Sequence, residues 1–376
     1  MSYYKQRIFI TYLKSKKLFE CDTGIYQCLV RLFWFSVIII FLPAMSGCVS
    51  CPKPRLRVGA YFGAPFGIYY PDPNKLGKHD YKSSWGEKIG LVYTCKGGFI
   101  DLSHLRDSAD RTAYCEHLIY DNLTEGNTDF SFKLLEPSKY IVTIKYPENW
   151  DTMLNKEAIK KDVAVSTAQY FSYVAMVWHE IITWYGYKYT GLFSEYISAF
   201  SWEDIYSDII GIDIGGRVLR KSRSMDNYDE IMTSLISDEL RQLDIQPVSV
   251  AKKAEKKIRG KWFDGIIYPF ARLRKRNLDI GIDDGYVTPW LVPGICSNTT
   301  PVSYAVPEPD LLKKYGFSIE LKIEPKIMES HKIFKTVYPD SDGKYILPSK
   351  NFPEIMKEIT KQEIKRNGPK VNTPNL

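Results

Sequence analysis

The sequence predicts an α+β fold with a helical core and short strands, in one main domain. Three observations lead there. Apolar residues make up 44% of the chain and charged residues 25%, a globular balance that excludes disordered and collagen-like classes. The segment VAVSTAQYFSYVAMVWHEIITWYG is apolar on nearly every side of a helix, as helices at the centre of a core are. KYIVTIKY alternates in character and is closed by Pro147, the pattern of a half-buried strand.

Taken in order, the chain opens with an address. Leu32–Leu42 reads LFWFSVIIIFL, eleven residues without a charge. At 1.5 Å per residue this is too short for a hydrocarbon layer of ~30 Å, and it suits the apolar stretch of a signal peptide. Ser46 and Gly47 before Cys48 resemble a lipobox, although Met45 stands where Leu is usual. Lipidation of Cys48 and cleavage before it are therefore expected. Val49 rather than Asp follows, so an outer-membrane anchor on the periplasmic side of a bacterial envelope is the expected address. Residues 1–47 read as the signal peptide, 48–58 as a tether, 59–300 as the main domain, and 301–376 as an extension with a strand and a disordered tail.

Charge agrees with export. Of the net +7, four charges belong to residues 1–47, where Lys5, Arg7, Lys14, Lys16, Lys17 and Arg31 face only Glu20 and Asp22. The rest carries +3, with no electrostatic footprint for nucleic acid.

Residues 59–100 read as loops and short strands, GLVYTC among them. Gly59, Gly63 and Gly67 lack the spacing of a phosphate-binding loop. Asp101 caps a predicted helix running to about Tyr120, with Arg106, Asp107, Asp110 and Arg111 on its polar side. The apolar helix spans about Asp162–Tyr185. A third helix starts near Ser201, where Ser201 and Asp204 have the spacing of a capping box. Charged helical stretches follow at 226–243 and 248–260, then a basic cluster, Arg272, Arg274, Lys275 and Arg276, that reads as solvated surface. YGFSIELKIEP at 315–325 is a strand, and the residues after 360 read as disordered.

Chemistry centres on His179 and Glu180, inside the most apolar helix. A buried carboxylate has to be paired, protonated or metal-bound. WHEIITW begins like the H-E-x-x-H of zinc peptidases, but Thr183 occupies the second histidine's position, which excludes the standard zinc site. Other helices offer ligands. His104 shares a face with Asp107 and Ser108. Asp204, Asp208, Gly211 and Gly215 form one stripe, acidic and then small, that lets another helix approach the acidic turn closely. The expected site is a divalent metal such as zinc on His104, His179, Asp204 and Asp208, with Glu180 and the histidines catalytic in a metal-dependent hydrolase acting on an envelope component. The competing reading of these groups is a satisfied buried polar network.

Two alternatives stand beside it. Cys95, just before Gly97, Gly98 and a helix start, is a candidate thiol nucleophile with His79 or His104 as base, unless Cys115 or Cys296 binds it in a disulfide. A non-enzymatic envelope lipoprotein is the other, with Trp184, Tyr185, Tyr187, Tyr189 and Phe193 as an aromatic platform for peptidoglycan.

FGAPFGIYYPDPNKLGKHDY, LVYTCKGGFIDLSHLRDSADRTAY, WHEIITWYGYK and SAFSWEDIYSDIIG together resemble a family of bacterial envelope lipoproteins known as domain of unknown function 4056, over roughly 59–300. The resemblance implies export and no particular activity. It also implies that His104, His179, Glu180 and Asp204 belong together in one site.

Overall fold

Three long helices carry the fold in the structure, a computed structural model that describes residues 51–57, 68–83, 86–188, 194–265, 271–340 and 343–374. They are α1 (Leu102–Glu125), α2 (Lys156–Trp184) and α3 (Asp204–Lys221), each packed against the other two. Asp101 caps α1, its side chain accepting the Ser103 N–H at 2.6 Å, and Gly126 ends it in the left-handed region at φ 74°. α3 begins at Asp204 with Glu203 as its N-cap, so the capping box expected at Ser201 is not formed, although the Asp204 carboxylate does accept the Ser201 N–H at 2.9 Å.

Glycine sets the closeness of α1 and α3. A Cβ on Gly211 would stand 2.0 Å from the Leu105 carbonyl oxygen, and one on Gly215 would stand 2.9 Å from that of Ala109. The two backbones therefore touch along this stripe, which carries the acidic first turn of α3 onto the start of α1.

The apolar helix α2 is buried on most of its circumference because α1 and α3 cover one side and a sheet and the C-terminal region cover the rest. That sheet is antiparallel in the order β3 (Asp129–Phe132), β4 (Lys139–Lys145), β9 (Ser318–Glu324). Tyr140, Val142 and Ile144 alternate into the core with Leu321 and Ile323 of β9. Three two-stranded ladders complete the strands: β1 (Leu91–Thr94) with β2 (Gly98–Asp101), β5 (Phe263–Asp264) with β6 (Arg272–Leu273), and β7 (Tyr286–Val287) with β8 (Tyr304–Ala305). The remaining helices are α4 (Tyr228–Gln242), α5 (Val248–Ile258), α6 (Asp310–Tyr315), α7 (Ser330–Val337) and α8 (Pro348–Asn367). The fold is α+β, and no helix among the described residues is long and apolar enough to cross a membrane.

Four local expectations are corrected. The residues after 360 are helical as far as Asn367, because Ile355, Met356 and Ile359 of α8 pack into the core. Residues 51–57 are no loose tether: Cys51 is buried, and Arg57 forms ion pairs with Glu87, Asp107 and Asp110. Those partners explain why Arg106, paired with Glu87, and Asp110, paired with Arg57, are buried instead of solvated; Arg111 is buried too, against the Met176 sulfur. Arg276 of the basic cluster is buried too, its guanidinium donating to the carbonyls of Ala199 and Tyr196. The signal segment, Cys48 and the glycine series 59, 63 and 67 lie outside the described residues.

Candidate acid–base site

The α1–α3 contact builds the site from the first turns of both helices. His104, one turn into α1, sets Nδ1 3.3 Å from Asp208 Oδ2 and Nε2 3.7 Å from Asp204 Oδ1. Its side chain is 20% exposed, whereas those of Asp204 and Asp208 are buried. The N-cap carboxylate of Asp101 lies below it. The Asp101 N–H donates to Ser207 Oγ at 2.9 Å, and Ser207 donates on to the Glu203 carbonyl at 2.6 Å.

Glu180 enters from α2. Its carboxylate accepts the N–H of Phe200, a non-glycine residue held at φ +53°. Such a backbone conformation is costly for an aromatic residue and persists only where its surroundings enforce it. Here the enforcement comes from Glu180, from Arg276 on the Ala199 carbonyl, and from Asn277 N–H on the Phe200 carbonyl at 3.1 Å. The next residue, Ser201, donates its hydroxyl to Glu203 at 2.6 Å.

Five buried carboxyl groups, Asp101, Glu180, Glu203, Asp204 and Asp208, thus gather around one imidazole. The electrostatics follow. Burial, opposed by His104 and reinforced by Glu180, Glu203 and Asp208, raises Asp204 well above the usual carboxylate range. Burial raises Glu180 and Asp101 likewise, and pushes Glu203 up to about 7. His104 is also raised: burial works against its charge, and Asp208 and Asp204 outweigh burial. Among the described residues no arginine or lysine pairs with these carboxyls, and the cation set among them is His104. One oxygen each of Asp101, Glu203 and Asp208 is buried without a hydrogen-bond partner.

A second buried cluster shows the contrast. Asp110 accepts from His79 Nε2 at 2.8 Å and from the Tyr228 hydroxyl at 3.0 Å, and lies 2.8 Å from Arg57. Glu87 takes Arg57 at 2.8 Å and Arg106 at 3.1 Å. Here each carboxylate has an arginine, and Asp110 is pulled down to about 2, burial being overcome by His79 and Arg57. This is a paired network that fastens Arg57, His79 and Glu87 to α1. Nothing in the isolated sequence marks Arg57, Glu87 and Asp110 as partners, since they are far apart along the chain.

The expected site residues divide accordingly. His104, Asp204, Asp208 and Glu180 come together, and Glu203 and Asp101 join them. His179 does not. On the neighbouring position of α2 it turns to Glu136, 2.9 Å from Nδ1, with Glu195 4.0 Å from Nε2. Burial opposes its charge, but Glu136 prevails and lifts it to about 9, so both ring nitrogens serve ion pairs and the expected ligand role is corrected. The 100° step between consecutive helical residues separates it from Glu180. Among the described residues no group of three or more His, Cys, Asp and Glu side chains is placed to hold a metal ion.

Both remaining alternatives lose their residues. Cys95 is joined to Cys296 in a disulfide, which removes the thiol nucleophile, and Cys51 and Cys115 are buried with thiols pushed up by burial to about 11 and about 12. Trp184, Tyr185 and Tyr187 are buried rather than displayed as a platform, while Tyr189 and Phe193 lie outside the described residues.

No curated protein and no solved structure matches the chain. A family model described as "Protein of unknown function (DUF4056)" matches residues 69–269, a span that includes α1, α2, α3 and every member of the acid–base cluster, and the chain belongs to that family.

Proposed function

We propose that this chain is a lipid-anchored protein of the bacterial envelope, facing the periplasm, and that the His104 cluster is the acid–base site of a hydrolase acting on an envelope component. One observation carries the catalytic reading: a surplus of buried carboxyls around a single partly exposed histidine. Structural networks pair their charges, as the Arg57 network does, and an unpaired surplus is the kind of strain that fold stability does not select. Glu203 near 7 gives the site a group able to hold and release a proton at neutral pH, and His104, kept protonated by Asp208 and Asp204, is placed as a proton donor at the partly exposed edge. The Cys95–Cys296 disulfide supports an oxidising compartment, in keeping with the Cys48 lipobox.

The test uses isolated peptidoglycan as substrate, with released fragments measured by chromatography. Wild type releasing soluble fragments, and folded His104→Ala and Asp208→Asn variants failing to, supports the reading. No release by wild type, with or without added zinc, removes peptidoglycan hydrolysis. Metabolic labelling with a radioactive fatty acid checks the anchor, and label that persists in Cys48→Ala contradicts it.

A metal-dependent form of the same site is the second reading, favoured by the three unpartnered oxygens of Asp101, Glu203 and Asp208. Zinc is the first candidate, and because no three side chains among the described residues are placed for it as they stand, it would require His104, Asp204 and Asp208 to turn toward a shared centre, without His179. Elemental analysis of protein purified without chelator decides it: near-stoichiometric metal that Asp208→Asn loses supports this form, and a metal-free folded protein rejects it.

A further inference from the structure

Three cavities run in series along the C-terminal end of α8. The first, about 360 Å³, lies between α7 and α8 and is lined by Lys332, Lys335 and Arg366, with the buried Trp184 and Tyr185 at its floor. Arg366 also lines the second, about 390 Å³, together with Arg272 and Arg276. Arg272 and Asn367 pass into the third, about 280 Å³, where Lys261, Arg274 and Lys370 continue the line. Among the described residues lining these three cavities there is not one aspartate or glutamate.

The cations are also ordered. Arg366 lies over the rings of Trp184 and Tyr196 at 5.1 and 5.0 Å, and Arg276 lies over the same rings at 5.4 and 4.9 Å. The Trp184 indole N–H donates to Gln362 of α8 at 3.1 Å, and the Tyr196 hydroxyl accepts from Arg366. Aromatic stacking of this kind fixes a guanidinium while leaving its edge for an anion, which lowers the entropy lost on binding. Arg276 has its own carboxylate, Glu363, at 3.5 Å, and Arg274 has Asp264, so the exposed Arg366, Arg272, Lys335 and Lys332 are the groups that face a ligand.

We propose that this groove binds a linear acidic glycan, seating successive carboxylate or phosphate groups on Lys335, Arg366 and Arg272. A concave, extended line of charge suits a chain of anions, and with Trp184 and Tyr185 buried it lacks the exposed rings on which nucleic-acid bases stack, which favours an acidic glycan. The groove lies outside the His104 cluster, so this inference does not depend on the hydrolytic reading.

The experiment measures binding to the full-length protein in mild nonionic detergent by titration calorimetry. The probes are a linear oligogalacturonate, a neutral chitooligosaccharide of equal length, and a single-stranded DNA. Oligogalacturonate binds, weakening as salt rises, and Arg272→Glu and Lys335→Glu each lower affinity about tenfold or more. These two residues are exposed, so their variants keep the test decisive if Arg366→Glu does not fold. No binding of oligogalacturonate, equal binding of the neutral oligosaccharide, tighter binding of DNA, or variants that bind as wild type does would each overturn the proposal.

Discussion

A single charge decides which of the two buried clusters a residue belongs to. Asp110 is held by His79, Arg57 and Tyr228, so removing its charge takes from Arg57 one of its three carboxylates and leaves Glu87 and Asp107. Asp110→Asn is expected to destabilise the fold by about 1.5–3 kcal/mol in denaturant unfolding, the range for losing a hydrogen bond to a charged group. A loss no larger than that of an exposed substitution would show that the network is slack. His179 offers the opposite lesson about reading residues. Its chemistry beside Glu180 was legible as a buried ionisable pair, but its partner Glu136 lies 43 positions away, and no local spacing announces such a contact. Cys95 was ambiguous for the same reason, since its disulfide spans a separation of 201 residues. Iodoacetamide is expected to label none of Cys51, Cys95, Cys115 and Cys296 in the native, unreduced protein; rapid labelling of Cys95 would restore the thiol mechanism.

Among the elements, the α1–α3 contact places the site, and its glycines enforce it. Gly211→Ala gains helix propensity, yet its methyl meets the Leu105 carbonyl, which belongs to a helix backbone and cannot swing aside. The net expectation is a loss of about 1–3 kcal/mol in denaturant unfolding, with disturbance of the His104–Asp208 contact. A gain in stability would mean that the helices have room to separate. This stripe was legible because helical spacing puts Asp204, Asp208, Gly211 and Gly215 in a row. The strands β4 and β9 were legible by alternation, though not their pairing. The basic cluster at 272–276 was not: charge alone reads as solvated surface, and only the carbonyls of Ala199 and Tyr196 explain the burial of Arg276.

Over the whole molecule the two clusters predict the response to pH. Glu203 keeps its proton in the folded state up to about 7 against an ordinary 4.5, so folding loses stability as pH rises through that window, and Asp204, Glu180 and Asp101 act in the same direction. His179, raised from 6.5 to about 9, contributes stability at acid pH that is lost across that interval, and His104 acts alike. Asp110 works the other way, its contribution lost only as pH falls from 3.8 through about 2. Thermal midpoints should therefore be higher near pH 5 than near pH 9, and a midpoint that rises toward pH 9 would refute these directions. The same contrast gives the most direct measurement of the central claim, that the His104 cluster holds strain kept for chemistry while the Arg57 network holds the fold. Thermal unfolding of Asp204→Asn and Asp110→Asn would be compared with wild type at about pH 8. The account predicts a raised midpoint for Asp204→Asn, relieved at this pH of the cost of either taking up a proton or ionising among buried carboxyls, and a lowered one for Asp110→Asn. A fall in Asp204→Asn as large as that in Asp110→Asn would make the His104 cluster an ordinary structural network and contradict the account.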